Sequence, residues 1–199
     1  MRTGIFGGTF DPPHLGHLIL AEEACWQLDL RRVLFVLTPN PPHKREIPVT
    51  QAEVRLELLT RALQGKAGFS LSRVDLDRPP PHYAVDTVKL LRGEMPGETW
   101  VYLMGGDSLR DLPTWHHPED FIAACDEIGV MCRPDARVDL TALEARLPGL
   151  TQKVRFIEVP LLEISSSDLR RRIAQGQPYR NYLPEAVWKM IQSQRLYLG

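Results

Sequence analysis

Residues 1–17 read MRTGIFGGTFDPPHLGH, and this stretch indicates the fold class of the whole chain. Residues 2–6 are typical of a short strand, and the glycine pair at 7–8 frees the next backbone positions from side-chain sterics. The Asp-Pro-Pro sequence at 11–13 disfavours an early helix, and the pattern turns helical at Gly16. The sequence therefore predicts a strand, a tight loop and then a helix.

Two histidines, His14 and His17, lie where this loop meets the first helical turn. The first backbone N–H groups of a helix have no partner within it, and the helix dipole favours an anion there. Two imidazoles can add N–H donors to oxygens whose charge grows in a transition state. A His-x-x-His pair could also ligate a metal, but no third and fourth ligands accompany it at fixed spacing. The stretch therefore favours a phosphate site.

The segments that follow predict a parallel sheet. Leu18, Ala21, Cys25 and Leu28 recur at helical spacing, and the continuous apolar run at 32–38 is typical of a strand buried on both faces. Further strands are predicted at 69–74, 99–104, 126–132 and 154–159, between helices at 51–63, 84–92, 140–147, 168–175 and 184–194, with a short helix ending at residue 124. This alternation predicts an α/β fold, a Rossmann-like, doubly wound, mostly parallel sheet flanked by helices.

Composition limits the class of protein. The 199 residues fit one domain, 1–199, with a C-terminal helical part from about residue 165. No apolar run approaches the roughly 20 residues of a membrane span, and we expect no membrane partner. The formal net charge of −1 gives no electrostatic reason to expect nucleic acid as a partner. Because strand structure is expected from the second residue, we expect no cleaved signal and a cytoplasmic location.

The cysteines point away from a disulfide framework. Cys25, Cys125 and Cys132 are odd in number and show no Cys-x-x-Cys spacing, which also argues against structural zinc. We therefore expect three small, buried side chains. The sequence does not fix the oligomeric state, so a homo-oligomer stays open.

Polar residues follow several strands at their carboxyl ends, where open α/β sheets bind ligands. Lys44, in a Pro-rich loop after the second strand, is either a mobile cation for phosphate or an ordinary solvated lysine. Asp107, after Gly105-Gly106, could hold sugar hydroxyls, orient magnesium or cap a helix. Trp115 is either core or a stacking platform for a planar ring.

A third group of polar residues lies near the C-terminal helix predicted to begin at Asp168. Ser165, Ser166 and Ser167 precede it as candidate caps, and the arginines at 170–172 are expected in its first turn. Arginines at a helix N-terminus oppose the dipole, which indicates an anion there. No Ser-His-Asp or Cys-His arrangement is legible, so covalent catalysis has no support.

Taken together, GGTFDPPHLGH, NPPHK, HYAVDT, GGDSL, the tryptophan after LPT, ISSSDLR and the closing LPEAVWKMI resemble the bacterial nicotinate-nucleotide adenylyltransferases. These are members of the nucleotidyltransferase superfamily that carries a His-x-Gly-His motif. The resemblance covers nearly the whole chain. It implies the nucleotidyltransferase fold and a reaction in which ATP and nicotinate mononucleotide give deamido-NAD and pyrophosphate, with Mg²⁺ present.

The resemblance also implies site residues. His14, His17 and Lys44 would be catalytic, with His17 at the reacting α-phosphate and Lys44 at the phosphates that meet in the reaction. Residues implied for ATP are Gly7, Gly8, Thr9, Phe10, His14, His17, Ser166 and Arg170, the last two at the β- and γ-phosphates. Residues implied for the mononucleotide are Lys44, Ala84, Thr87, Asp107 and Trp115: Trp115 would stack on the pyridine ring, and Asp107 would face the sugar.

Two positions depart from the family pattern. Ser167 replaces the Thr that usually closes Ile-Ser-Ser-Thr, which keeps the hydroxyl. The usual Ser-Tyr-Thr-Val-Asp-Thr is His82 to Thr87 here, so Ala84 lacks a hydroxyl near the expected carboxylate site. Two alternative functions stay open: a pantetheine-phosphate adenylyltransferase, and a nucleotide-binding module without catalytic activity.

Overall fold

The chain forms a single parallel sheet with helices on both faces. The computed structural model describes residues 1–40, 49–132, 138–160 and 163–198, and within them six strands pair in the order β3-β2-β1-β4-β5-β6. The strands are β1 (Arg2–Gly8), β2 (Arg32–Leu37), β3 (Phe69–Ser72), β4 (Thr99–Gly105), β5 (Glu127–Cys132) and β6 (Val154–Glu158). Each neighbouring pair is parallel. The predicted doubly wound α/β sheet is confirmed.

Helices connect the strands and extend the chain at its C-terminal end. They are α1 (Leu15–Gln27), α2 (Ala52–Leu63), α3 (Ala84–Glu94), α4 (Gly106–Asp111), α5 (Pro118–Ala124), α6 (Leu140–Arg146), α7 (Leu150–Lys153), α8 (Ser166–Ala174) and α9 (Glu185–Gln194). No helix in the described ranges is long and apolar enough to cross a membrane.

The central strand β1 is apolar on both faces because helices cover the sheet on both sides. Ile5 is buried in a cluster with α3 and α5, whereas the next residue, Phe6, is buried in a cluster with α1 and α2. Alternate residues of a strand point to opposite faces, so one short run of sequence supplies both halves of the core.

A third cluster attaches the C-terminal helices. Leu58 and Ala62, on the side of α2 away from the sheet, pack with Leu169 of α8 and with Val187 and Ile191 of α9. Helix α2 therefore lies between the sheet and the last two long helices.

Predicted element bounds agree with the structure to within two residues, and two short helices, α4 and α7, were not predicted. One difference changes an inference. Helix α8 begins at Ser166 because the Ser165 side chain caps it, accepting from the Asp168 amide at 3.1 Å. Arg171 and Arg172 consequently lie in the last turn and pair with Asp168. The predicted position of the arginine run in the first turn is therefore wrong, and an anion near Ser166 and Arg170 stays a prediction.

The cysteine prediction is confirmed for one residue and wrong for another. Cys125 is buried, and this burial raises the pKa of its thiol to about 12. Cys25 is only half-buried, since the buried face of α1 runs through Leu18, Ala21 and Ala24 instead. The Cys132 side chain lies outside the described part of the structure.

Candidate active site

A cleft of about 330 Å³ opens at the carboxyl ends of β1 and β4. This is the topological switch point of the sheet, because the chain proceeds outward from β1 in one direction and from β4 in the other. Six residues predicted to bind ATP or the mononucleotide line the cleft: Gly7, Gly8, Thr9, Ala84, Thr87 and Trp115. The structure therefore brings together residues from distant parts of the sequence.

Close packing explains the glycine at position 8. A β-carbon on Gly8 would lie 2.8 Å from the Phe10 ring. Phe10 has a positive φ of 49°, a conformation that costs free energy for a bulky residue. Its ring is 2% exposed and meets the Phe6 ring edge-on at 5.9 Å, and this burial offsets the strain. Gly8 and Phe10 therefore shape the loop that leads into α1.

His14 and His17 form a stacked pair at the start of α1, with ring centroids 3.7 Å apart. The His14 amide donates to His17 Nδ1 at 3.1 Å, so in the neutral His17 ring Nε2 carries the proton. His14 is 5% exposed, and burial lowers its pKa to about 4. Its Nδ1 has no hydrogen-bond partner among the described residues. At neutral pH His14 therefore presents an uncharged imidazole beside a helix N-terminus.

The glycine between the two histidines keeps this pair in place. A β-carbon on Gly16 would lie 3.0 Å from His14 Nδ1 and 3.1 Å from Cε1. Such a contact would push the His14 ring off its stacking position. His-x-Gly-His is therefore a packing requirement as well as a pair of donors, and sequence reasoning had given Gly16 no role.

Helix α8 approaches the same loop from the C-terminal part of the chain. The Ser166 hydroxyl donates to the Pro12 carbonyl at 2.9 Å, and Arg170 Nη1 donates to the Asp11 carbonyl at 2.6 Å. The buried Asp11 carboxylate accepts from the Tyr197 hydroxyl at 2.7 Å and from the Thr50 amide at 3.1 Å. Ser166 and Arg170 thus lie beside the histidine loop, and their roles toward phosphate stay predictions.

A buried arginine links the loops on this side of the cleft. Arg55, 1% exposed in α2, donates to the carbonyls of Thr9, Thr38, Pro39 and Thr50 at 2.6–3.0 Å. One guanidinium therefore holds the glycine loop and both ends of the segment that contains Lys44. Burial lowers the pKa of Arg55, with the nearby Asp11 charge opposing this effect.

Sequence reasoning missed Arg55, although a signal was present. Arg55, Leu58, Leu59 and Ala62 follow the i, i+3, i+4, i+7 spacing of a buried helix face. Val54, Leu58 and Ala62 also recur at helical spacing and predict a different buried face, but Val54 is only half-buried. A charged residue at a core position of an amphipathic helix indicates a buried side chain that donates hydrogen bonds to backbone carbonyls.

Another ion pair supports the opposite wall of the cleft. Asp75, 3% exposed, accepts from Arg78 at 2.9 Å and from the Thr87 hydroxyl at 2.8 Å. Arg78 also donates to the Pro81 and Tyr83 carbonyls. The network fixes the segment that leads into α3, where Ala84 is the first helical residue.

Aromatic rings close the far end of the cleft. Trp115 is half-buried, with its ring edge-on to Tyr102 at 6.2 Å and tilted to Phe121 at 5.3 Å. Tyr83 and His116 stack at 4.0 Å. Trp115 therefore packs on the core and also lines the cleft, and its stacking on a planar ring stays a prediction.

The described lining of the cleft does not include Phe10, His14, His17, Ser166 and Arg170, which form the loop and helix starts next to Thr9. Asp107 and Lys44 join neither group. The Asp107 side chain is 85% exposed, pairs with Arg110 at 3.2 Å and is absent from the described lining of the cleft, although Ser108 belongs to it. Asp107 does not cap α4 either, because the N-cap is Gly105. Lys44 lies outside the described residues.

Known proteins resemble this chain over nearly its full length. The Cytidylyltransferase-like family model matches residues 5–172. A Thermomicrobium roseum protein named "Probable nicotinate-nucleotide adenylyltransferase" is 48% identical over 98% of this chain and 91% of its own length. A relative of the same name from Exiguobacterium sibiricum is 40% identical over 99% of each chain.

The fold is also similar to that of solved proteins. Plasmodium falciparum nicotinic acid mononucleotide adenylyltransferase complexed with NaAD matches 98% of this chain and 97% of its own, with a TM-score of 0.80 at 20% identity. The same protein complexed with APC gives a TM-score of 0.77 at 19% identity, with coverage of 98% and 96%.

Proposed function

This chain belongs to the nicotinate-nucleotide adenylyltransferase family, and on that premise we propose that it transfers the adenylyl group of ATP to nicotinate mononucleotide. The products are nicotinate adenine dinucleotide (deamido-NAD) and pyrophosphate, which makes the protein an enzyme of NAD biosynthesis. We place it in the cytoplasm, where ATP is supplied.

The stacked histidine pair beside the cleft is the observation that carries this proposal. Phosphoryl and adenylyl transfer need positioning and charge stabilisation rather than a protein nucleophile. His14 and His17 provide imidazole donors or acceptors at the N-terminus of α1, next to the glycine loop that lines the cleft, and His14 is uncharged at neutral pH. The cleft then extends past Ala84 and Thr87 to Trp115, which leaves room for a second nucleotide.

In the proposed reaction, a phosphate oxygen of nicotinate mononucleotide attacks the α-phosphorus of ATP. The new O–P bond forms as the bond from the α-phosphorus to the bridging oxygen breaks, and pyrophosphate leaves with the electron pair. His17 donates from Nε2 to an α-phosphate oxygen, where negative charge accumulates. Ser166 and Arg170 hold the β- and γ-phosphates, and Lys44 bridges the two reacting phosphates.

Mg²⁺ enters this scheme as part of the substrate, bound to ATP. Among the described residues, no group of three or more His, Cys, Asp or Glu side chains is placed to hold a metal ion. Mg²⁺ usually keeps several waters and binds substrate phosphates in sites of this kind. It would neutralise charge on the leaving pyrophosphate, while the protein residues position the phosphates.

The mononucleotide occupies the wall formed by α3 and the aromatic rings. Trp115 stacks on the pyridine ring, and the first amides of α3, at Ala84 and Val85, face the ring substituent. The Thr87 hydroxyl already donates to Asp75, so Thr87 acts by holding this wall in place. Asp107 reaches the sugar only if its side chain leaves Arg110, to which it is paired at 3.2 Å.

The direct test is release of pyrophosphate from ATP, Mg²⁺ and nicotinate mononucleotide. We expect turnover that yields the dinucleotide, and we expect His17→Ala to reduce kcat by about 10²-fold, as for loss of a preorganised donor. Turnover with pantetheine phosphate alone would contradict the choice of substrate. Tight ATP binding without product from any acceptor would indicate a non-catalytic binding module.

A further inference from the structure

We propose that the Tyr102 hydroxyl donates a hydrogen bond to an oxygen of the bound mononucleotide, which makes Tyr102 a substrate-binding residue of the cleft. The inference rests on the proposed function, because it adds a side chain to the same mononucleotide site. It predicts that loss of the hydroxyl weakens binding of the mononucleotide and leaves binding of ATP unchanged.

Tyr102 extends from β4 to the cleft. It pairs with Ile5 of β1 and packs in the same core cluster, and Gly7 lies two residues beyond Ile5 on the same face of the sheet. A β-carbon on Gly7 would lie 2.9 Å from the Tyr102 hydroxyl oxygen and 3.7 Å from the ring carbon that carries it. The Tyr102 ring therefore leans towards the carboxyl ends of the strands, and glycine at position 7 leaves space for the hydroxyl.

The Tyr102 hydroxyl is a donor without an acceptor in the protein. Its side chain is 8% exposed and lines the cleft. No hydrogen bond joins this hydroxyl to another group in the described part of the chain. The side-chain atoms there that lack both a partner and contact with solvent are Nδ1 of His14 and Nδ1 of His82, and the Tyr102 oxygen is not one of them. The hydroxyl is therefore accessible from the cleft, where a ligand can reach it.

Packing does not explain why residue 102 carries a hydroxyl. The Tyr102 ring meets Phe121 edge-on at 4.9 Å and Trp115 edge-on at 6.2 Å, and a phenylalanine ring could make the same contacts. A largely buried hydroxyl without a hydrogen bond is unfavourable, because it has given up much of its hydration. A ligand oxygen that accepts from Tyr102 would offset this cost.

The surroundings of the hydroxyl favour the mononucleotide over ATP. The hydroxyl lies beside Gly7, and the Tyr102 ring adjoins Trp115, on which the pyridine ring is proposed to stack. His14 and His17, the proposed contacts of the ATP phosphates, are not part of the described lining of the cleft. The part of the substrate within reach of Tyr102 is therefore the mononucleotide.

The protonation state of Tyr102 makes it a donor. Burial raises the pKa of Tyr102, and the nearby Cys125 and Asp75 act in the same direction. The hydroxyl consequently stays protonated at the pH values at which enzymes are assayed. Acceptors on the mononucleotide are the carboxylate of the ring and the oxygens of the ribose and phosphate. A hydrogen bond to a charged acceptor contributes more than one to a neutral acceptor.

Tyr102→Phe tests the inference, because it removes the oxygen and keeps the ring. We expect the KM for nicotinate mononucleotide to rise by about tenfold or more if the acceptor is charged, and by about two- to tenfold if it is neutral. The KM for ATP should not change. The urea midpoint of the free protein should not fall either, since the hydroxyl has no partner there.

Tyr179→Phe is the matched control. Tyr179 packs with the C-terminal helices, and its hydroxyl accepts a hydrogen bond from the Gln192 side chain. Loss of this hydroxyl should lower the urea midpoint and leave both KM values unchanged. The two variants thus separate a hydroxyl that binds substrate from one that stabilises the fold.

Nicotinamide mononucleotide identifies the accepting oxygen, because it differs from the acid only in the ring substituent. A larger effect of Tyr102→Phe on the acid than on the amide would assign the hydrogen bond to the carboxylate. Equal effects would assign it to the ribose or phosphate, and both results support the inference. If the amide turns over too slowly to time, its inhibition constant against the acid replaces its KM.

Three results would overturn the role of Tyr102. They are unchanged KM values for both mononucleotides in Tyr102→Phe, a rise in the KM for ATP as large as that for the mononucleotide, and a loss of stability as large as that of Tyr179→Phe. Calorimetric titration with nicotinate mononucleotide in the absence of ATP distinguishes these results from failure of the proposed function. If the wild type binds the mononucleotide but forms no dinucleotide, the function fails, and weaker binding by Tyr102→Phe still supports the role of Tyr102. A wild type that binds neither mononucleotide would overturn both.

Discussion

A β-carbon on Gly16 would lie 3.0 Å from His14 Nδ1, so the His14 ring would have to shift by a few tenths of an ångström. A side chain at position 16 must therefore displace one of the two histidines proposed to contact ATP. Small displacements of positioning groups cost large factors in rate, on the order of 10²-fold for about 1 Å.

We predict that Gly16→Ala lowers kcat/KM for ATP by about 10- to 100-fold while the protein stays folded. Gly93→Ala is the matched control, because Gly93 is exposed in α3 and a β-carbon there meets no atom within 4 Å. The control should keep wild-type kinetics and gain about 0.5–1 kcal/mol of stability. Steady-state kinetics and urea unfolding measure both effects, and equal activity of the two variants would refute the packing argument.

The low pKa of buried His14 predicts how the stability of the protein depends on pH. Its pKa is about 4 in the folded protein because burial disfavours the imidazolium, against an ordinary value of 6.5. Between these two pH values the unfolded chain binds more protons, so the free energy of unfolding falls as pH is lowered from 6.5 to 4. The full effect is on the order of 3 kcal/mol.

His14→Gln should remove this contribution without affecting the acidic groups. Urea denaturation at pH 7 and pH 4.5 gives the difference for each protein, and the variant should lose less stability on acidification than the wild type. An identical loss in both proteins would show that His14 is protonated in the folded state.

At the scale of elements, helix α2 matters most, because its buried Arg55 holds the loops beside the cleft. Lysine at position 55 would keep a positive charge but has fewer donors and no planar fork, so it cannot serve four carbonyls. We predict that Arg55→Lys lowers kcat/KM for ATP by about tenfold or more and lowers stability by about 2–4 kcal/mol.

Leu58→Ala provides the matched control for Arg55→Lys. Leu58 is fully buried on the same helix but packs against α8 and α9 rather than the loops. Leu58→Ala should lower the free energy of unfolding by about 2–5 kcal/mol and leave kcat and KM unchanged at temperatures where the variant is folded. If both variants lose activity in parallel with stability, Arg55 has no positioning role.

The long elements could be predicted from the sequence and the short ones could not. Apolar runs such as 32–38 and the helical spacing from Leu18 reflect burial, which the core cluster confirms. Helix α4 has six residues and α7 has four, too few for a periodic pattern. The start of α8 depended on which of three serines caps the helix, and sequence alone does not distinguish Ser165 from its neighbours.

At the scale of the whole molecule, we propose that residues 1–199 form one folding unit. Helix α2 is shared: Leu59 packs with the sheet, whereas Leu58 and Ala62 pack with α8 and α9. Tyr197 and Asp11, 186 positions apart, are joined by a hydrogen bond of 2.7 Å. Loss of the C-terminal helices would therefore expose both α2 and the histidine loop.

This predicts a single cooperative unfolding transition. Trp100 lies in the sheet core and Trp188 in α9, so fluorescence reports on both parts, and far-UV circular dichroism reports on all helices. The two signals should give coincident urea curves. A biphasic curve, whose early phase changes part of the helical signal and the fluorescence of Trp188 but not that of Trp100, would mean that the C-terminal helices unfold on their own.

The candidate site was partly predictable because its motifs occur at strand ends and helix starts. The glycine loop, Ala84, Thr87 and Trp115 meet at the cleft, since parallel strands bring their carboxyl ends to one edge. The Asp11, Arg55 and Tyr197 contacts were not predictable, because they join segments whose approach is known only after the helices have packed. The position of the Asp107 side chain was not predictable either, because its ion pair with Arg110 depends on the rotamers of both side chains.

The central strand β1 also determines where a label can be attached far from the cleft. Met1 lies at the amino edge of the sheet, where its carbonyl accepts from the Thr99 amide, and four strand residues, 2–5, separate it from Phe6, the first residue of β1 that lines the cleft. At about 3.3 Å per residue, the distance from Met1 to Phe6 is roughly 17 Å. A label after Tyr197, by contrast, would adjoin Asp11 and the histidine loop. A fluorophore or surface tether is therefore best attached at Met1, where single molecules can be immobilised with the cleft facing solution.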